Sequence, residues 1–298
     1  MRVTNGNLSQ AIVSQLQRRM SEQARLQREV ASGQRITNPS DDPAAAARVL
    51  QLQSEKQQVQ QFADNNERGT EIVKASYSAV EQLKRLSDRA GELAVLGAGV
   101  TSPDAYRAYS AEANQLIEQA VQVANTQYAG EHLLAGTRTD APPFAAMRNG
   151  AGEIVSASYV GAADAAQFRI SEGATLSPYT SGATNQQFAG FVNNLVSLRD
   201  ALASQDAAAV GNAHASLATS EDDFLVALSD IGAKQTRFEA DAQQNSARFT
   251  ELENLTAHET DVDLPQTVVE LTQAQSAYEA ALQSSAKMME LSLLDFVR

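Results

Sequence analysis

A chain of 298 residues without cysteine has no disulfides and no thiol chemistry, and a formal net charge of −13 repels nucleic acid and anionic membrane surfaces. Its hydrophobic fraction of 43% is rich in alanine, with 5% aromatic residues and no tryptophan, so burial must come from thin helix seams rather than one thick core. No window reaches the roughly 18 consecutive apolar residues of a membrane span, and no apolar run after Met1 reads as a cleaved secretory signal.

The first helical pattern places Ile12, Leu16, Leu26 and Val30 on a 3-4 spaced seam, with Arg19 and Gln23 as polar interruptions. Such a weakly amphipathic helix needs a partner. The stretch Ser32 to Pro43, reading Ser-Gly-Gln-Arg-Ile-Thr-Asn-Pro-Ser-Asp-Asp-Pro, then forms a joint between two helices, with Ser40 in its turn. Pro43 suits a first helical residue, where a missing N–H costs nothing, and Asp42 is placed to cap the free donors that follow. Asp41 adds negative charge at the positive helix end, so this pair reads as capping rather than as acid or metal chemistry. Arg35 pairs with Asp41 or Asp42 inside one subunit, or reaches a neighbouring one, and local reasoning leaves both open.

The second helical pattern runs from Pro43 to about Leu96, a rod on the order of 80 Å, with Val59, Phe62, Val73, Val80 and Leu83 on one stripe. Gly97, Gly99 and Ser102-Pro103 stop and restart the chain, with Ser102 as cap. A third helix with Tyr109, Ala113, Leu116, Ala120 and Val123 runs to about Tyr128, and the short connection favours an antiparallel return along the second. From about Thr137 to Gly182 the texture turns to Gly, Pro, Ser and Thr, with β-like runs at Ile154 to Val160 and Gln167 to Ile170.

Helical patterning resumes near Gln186, pauses at Ser204-Gln205-Asp206 and continues to about Ala257. In that last part Val210, Leu217, Phe224, Ile231, Phe238 and Leu252 recur at seven-residue steps broken by Asn245, a heptad of coiled-coil type. Asn245 reads as a point where the seam meets solvent, the other reading being a buried, register-setting amide. The last helix opens at Asp263-Leu-Pro-Gln, a capping box. Its seam is Leu264, Val268, Leu271, Tyr278, Leu282 and Met289, and it ends on an apolar tip with Leu291, Leu293, Leu294 and Phe296. The expected fold is mainly α with a small β-rich insertion: an elongated helical bundle or coiled coil built from N- and C-terminal helices, with a central β domain.

Catalytic and metal chemistry finds no foothold. His132, His214 and His258 stand apart without metal-ligand spacing, and neither a phosphate-binding glycine loop nor a nucleophile elbow is present. The chain reads as a non-enzyme that needs no cofactor. The positive signal is association. Residues 1–35 carry +4 and residues 261–298 carry −4, so two marginal helices at opposite ends are complementary in charge, and the apolar tip suits burial in an assembly.

The joint also carries a resemblance. Gln34-Arg35-Ile36-Thr37-Asn38-Pro39-Ser40-Asp41-Asp42-Pro43-Ala44-Ala45-Ala46 resembles a Ser-Gly-x-Arg-Ile-x-x-Pro-Ser-Asp-Asp-Pro-x-Ala-Ala segment of the flagellin superfamily, in the form found in its hook-filament junction branch. Met1-Arg2-Val3-Thr4 is similar to the family's start. Leu133-Leu134-Ala135-Gly136-Thr137-Arg138-Thr139-Asp140-Ala141-Pro142-Pro143-Phe144 is similar to its entry into the central domain, and Leu291 to Phe296 to its terminus. The likeness covers about residues 1–144 and 185–298. The Ser-Ala-x-Asp-Asp-Ala segment of filament-forming flagellins is replaced here by Asn38-Pro39-Ser40-Asp41-Asp42-Pro43.

The resemblance implies a structural adaptor of the bacterial flagellum, extracellular and exported through the type III channel without a cleaved signal. It implies a homo-oligomeric ring between a neighbouring hook-associated protein and flagellin, with an export chaperone before assembly and with neither nucleic acid nor membrane as partner. Residues 1–43 and 261–298 are then the terminal helices of an inner coiled-coil layer, 44–139 and 185–260 a long-helix bundle, and 140–184 a small β-rich outer domain. The expected assembly interface comprises Ile12, Leu16, Leu26, Val30, Arg35, Leu271, Tyr278, Leu282, Met289, Leu291, Leu293, Leu294 and Phe296. A filament subunit of the same family, and a secreted coiled-coil effector or adhesin, are the alternatives.

Overall fold

A computed structural model describes residues 2–99 and 102–296, and the side chains of 10–99 and 102–287. The elements in chain order are helices α1 (Arg2–Ser32), α2 (Pro43–Ala98) and α3 (Pro103–Ala124), strands β1 (Gln127–Tyr128), β2 (Glu131–His132), β3 (Phe144–Arg148), β4 (Ile154–Tyr159), β5 (Phe168–Ser171) and β6 (Ala174–Leu176), and helices α4 (Gly182–Ala203), α5 (Ala207–Thr260) and α6 (Leu264–Phe296). Each consecutive strand pair forms its own antiparallel two-stranded sheet. The chain divides into one unit of residues 1–57 with 250–298 and another of residues 58–249.

In the second unit the heptad of α5 is the spine of the core. Val210, Leu217, Phe224, Ile231 and Phe238 are all buried, and Phe224 stacks on Phe188 at 5.2 Å while meeting Phe191 edge-on at 5.0 Å. Such ring pairs add about 0.5–1.5 kcal/mol beyond their buried area. From α2, Phe62, Val73, Val80 and Leu83 are buried, and from α3, Ala113, Leu116 and Ala120. α3 runs back along α2, with Arg89 Nε donating to Glu112 at 2.7 Å, and α4 lies on α3, with Ser110 Oγ donating to the Arg199 carbonyl.

Several elements depart from their sequence expectations. α3 stops at Ala124, short of Tyr128, because Asn125 turns outward to the next strands, exchanging hydrogen bonds with both the N–H and the C=O of Phe144. Ala129 and Gly130 follow with positive φ, the two-residue loop that closes a β1–β2 hairpin. α4 begins at Gly182 rather than near Gln186, since Ser181 Oγ accepts from Thr184 N. Ser102 stands in the cap position of α3 with no side-chain capping bond, leaving Pro103 to shape that first turn. Asn245 does not face solvent: it is buried, and its Nδ2 donates to the Ile170 carbonyl of β5 at 2.9 Å.

Candidate assembly site at the paired helix junctions

In the first unit the two breaks in the long helices, α1 to α2 and α5 to α6, lie side by side. Gly33, with φ of +71°, ends α1 and donates to the Glu29 carbonyl, the left-handed stop that glycine adopts without strain. The next residues then pair with the other break. Arg35 N donates to the Thr260 carbonyl at 2.6 Å, Val262 N donates to the Gly33 carbonyl at 3.1 Å, and Gln34 and Asp261 form an antiparallel bridge.

Side chains fasten the same place. Arg35 Nη2 donates to the Glu259 carbonyl at 3.1 Å and Nη1 to Asp42 at 3.3 Å, both contacts within the single chain. Arg48 clasps Glu259 through both Nε and Nη2, and Lys56 pairs with Glu253 at 2.7 Å. Asp42 Oδ1 accepts from Ala45 N at 3.0 Å and caps α2, whose first residue is Pro43. Asp41 acts differently from the expected helix-end charge: one of its oxygens gathers Thr37 N, Thr37 Oγ1 and Asn38 N, so it shapes the turn, where Ser40 is exposed.

These contacts hold the carboxyl groups of Asp41, Asp42 and Glu259 below their ordinary range. The main causes are the backbone N–H of Asn38 for Asp41, the backbone N–H of Ala45 for Asp42, and the Arg48 guanidinium for Glu259. A cleft of about 330 Å³ beside the joint is lined by Arg25, Arg28, Arg35, Glu29, Asp41 and Asp42. Its three cations and three carboxylates balance, so it selects neither an anion nor a cation.

From the joint, α1 and α6 pack along each other, and the face α6 uses is not its most apolar one. Thr267, Ala274 and Ser285 are buried, while Leu264, Val268 and Leu282 stay 41–46% exposed. Leu271 and Tyr278, shared by the two overlapping 4-3 repeats, are half-buried. Burying the polar stripe is possible because each hydroxyl is satisfied by its own helix: Thr267 Oγ1 donates to the Asp263 carbonyl and Ser285 Oγ to the Ala281 carbonyl. At the helix start Asp263 Oδ1 accepts from Gln266 N, but the Gln266 amide turns to Glu270, so only half of the capping box forms.

On α1, Leu26 is buried, whereas Ile12, Leu16 and Val30 are half-buried, and the small side chains of Ala280, Ala281 and Ser284 leave a groove of about 240 Å³ beside Ile12 and Leu16. Glu29 is buried as well, its carboxylate receiving Arg25 at 2.7 Å. Met289, Leu291, Leu293, Leu294 and Phe296 lie outside the residues whose side chains are described. The Arg48–Glu259 clasp has no local sequence signal, its partners standing 211 positions apart.

The fold and this site define a class: a helical structural chain whose two ends pair with each other, and which leaves apolar helix surface uncovered. Residues 3–139 match the bacterial flagellin N-terminal helical region. The chain is 24% identical over 292 residues to flagellar hook-associated protein 3 of Escherichia coli, covering 89% of this chain and 90% of that protein. It is 29% identical over 146 residues to flagellar hook-associated protein 3 of Salmonella typhimurium, a match spanning 48% of this chain and 46% of that one. A putative flagellar hook-associated protein from Vibrio parahaemolyticus shares the fold, with a TM-score of 0.65 at 16% identity over 74% of this chain and all of that one. The chain is thus similar to a flagellin-type helical region over residues 3–139 and, more weakly along its length, to proteins named hook-associated protein 3.

Proposed function

We propose that the chain is a non-enzymatic structural adaptor of the bacterial flagellum, joining the hook-associated region to the flagellin filament by ring-like self-assembly. The observation that carries this reading is the inverted use of α6: within one chain it buries threonine, alanine and serine and leaves Leu264, Val268 and Leu282 to water. A helix that keeps its larger apolar residues uncovered when folded alone offers them to another chain. The names of the hook-associated relatives support a place on the flagellum, and in this reading the chain lies outside the cell on the flagellar axis after export without a cleaved signal and with a chaperone beforehand. The neighbours are then a second copy, an adjoining hook-associated protein and flagellin. In that reading residues 1–43 and 261–298 form the inner layer, 44–139 and 185–260 the bundle, and 140–184 the outer domain. The interface residues are Ile12, Leu16, Leu26, Val30, Arg35, Leu271, Tyr278, Leu282 and the terminal apolar group.

The test pairs Val268→Asp with Leu282→Asp. Both side chains are exposed in the single chain, so its thermal melting should stay where it is, while incorporation onto flagella, followed by labelled protein and electron microscopy, should fail. Removal of residues 291–298 should give the same pattern. Normal incorporation of the double variant would sink the proposal, and growth of long filaments from purified protein alone would make the chain a filament subunit.

A further inference from the structure

The segment between Asp164 and Tyr179 is held at both roots. Thr137 N donates to the Asp164 carbonyl at 3.0 Å, and Lys234 Nζ donates to the Tyr179 carbonyl at 2.8 Å while Tyr179 Oη donates to Glu131. Between the roots lies the β5–β6 hairpin, which among the described residues pairs with no other strand. One of its side chains is fully buried, Ile170. The carbonyl of that same residue receives two amides from two different helices: Asn66 Nδ2 of α2 at 3.2 Å and Asn245 Nδ2 of α5 at 2.9 Å.

Both asparagines are buried, and Asn245 sits in the heptad where every other step is apolar. A leucine there would extend the apolar seam, so the amide costs the helix pair stability and is explained by what it holds. The Asn66 Oδ1 atom accepts no hydrogen bond among the described residues, so this amide too is spent on the Ile170 carbonyl alone. Further fastenings are peripheral: Asn65 Nδ2 on the Arg169 carbonyl at 2.8 Å, the Arg169 guanidinium over the Phe62 ring, that of Arg68 over Phe168, and partly buried Phe168, Ala174 and Leu176 against the core, with Phe168 edge-on to Tyr179. The β3–β4 hairpin is held far more firmly. It buries Phe144, Ile154 and Ala157, and Asn193 bonds both the N–H and the C=O of Ala157 while Arg199 donates to the Ile154 carbonyl at 2.6 Å.

We propose that residues 165–178 are a strap fastened across α2 and α5 by a two-amide latch on one carbonyl, and that the strap opens as a unit while the helices and the β3–β4 hairpin stay closed. Opening frees Asn66 and Asn245 together and uncovers Phe62.

Native-state hydrogen exchange of the full chain tests this. In the unmodified protein the amides of 168–176 should exchange together and ahead of those in 154–159. Asn245→Leu should speed the strap amides by roughly 5- to 30-fold, the effect of one buried hydrogen bond lost, without lowering the helix melting temperature. Asn193→Ala should speed 154–159 and leave the strap unchanged. Equal exchange in the two hairpins of the unmodified protein, or an unchanged strap in Asn245→Leu, would overturn the latch.

Discussion

Gly69 lies inside α2 beneath the ring of Phe238, a fully buried residue of the α5 heptad, and a β-carbon there would fall on that ring. Glycine inside a helix weakens it by about 1 kcal/mol relative to alanine, so on propensity alone Gly69→Ala would stabilise. Here steric overlap outweighs propensity, since overpacking a tight core costs about 1–3 kcal/mol. Gly69→Ala should lower the urea midpoint, and Gly69→Ala with Phe238→Leu should recover part of the loss. An alanine variant as stable as the parent would show that the ring moves aside freely. At the joint, Asp42 both caps α2 and receives Arg35, and two substitutions separate these tasks. Asp42→Asn keeps a capping oxygen and loses the charge pair, so it should hold the helix start that Asp42→Ala frays, as read from amide exchange at 44–46.

At the scale of elements, the long helices were legible because prolines and glycines mark their ends and apolar residues repeat at 3-4 spacing along them. Pro43 and Pro103 begin helices, and the heptad Val210 to Phe238 is buried at every step. The short strands were only half legible. Ile154–Tyr159 and Phe168–Ser171 each carry two or more β-branched or aromatic residues, whereas Phe144–Arg148 and Ala174–Leu176 carry one each, and Phe144 is held by Asn125, 19 positions away. Asn245 was misread for the same reason: its acceptor lies 75 positions away. The seam of α6 was misread because hydrophobicity alone ranks Val268 and Leu282 above Thr267 and Ser285, and local hydroxyl bonding reverses that order inside one chain.

The paired junctions carry a pH prediction at this scale. Asp41, Asp42 and Glu259 have folded values below their unfolded ones, so the folded state resists protonation. Their stabilisation is fully present above the unfolded values of about 4 and is lost as pH falls through the lower, folded values. Backbone amide signals of Gly33, Gln34 and Asp261 should hold steady from pH 7 to 5 and shift only below about pH 4. A transition centred near pH 6 would mean that these three carboxylates do not govern the joint.

For the molecule as a whole, charge and apolar surface are placed to different ends. The +4 of residues 1–35 and the −4 of 261–298 cancel, so the full −13 resides in residues 36–260. The terminal segments that leave Val268 and Leu282 uncovered are thus together neutral, while the rest of every copy repels the rest of every other. Repulsion between exposed charges reaches about 30 Å at 0.01 M salt and about 8 Å at 0.15 M, whereas apolar contact is not weakened by that change. Self-association measured by sedimentation should therefore increase between those two concentrations. Reversing Arg18 and Arg19 to glutamate removes four charge units from the first segment, taking it from +4 to neutral and leaving the terminal segments with net negative charge. That variant should associate less than the parent at 0.01 M salt and approach it at 0.15 M. Association that falls with added salt in the parent would mean that attraction between charges, rather than apolar burial, draws the copies together.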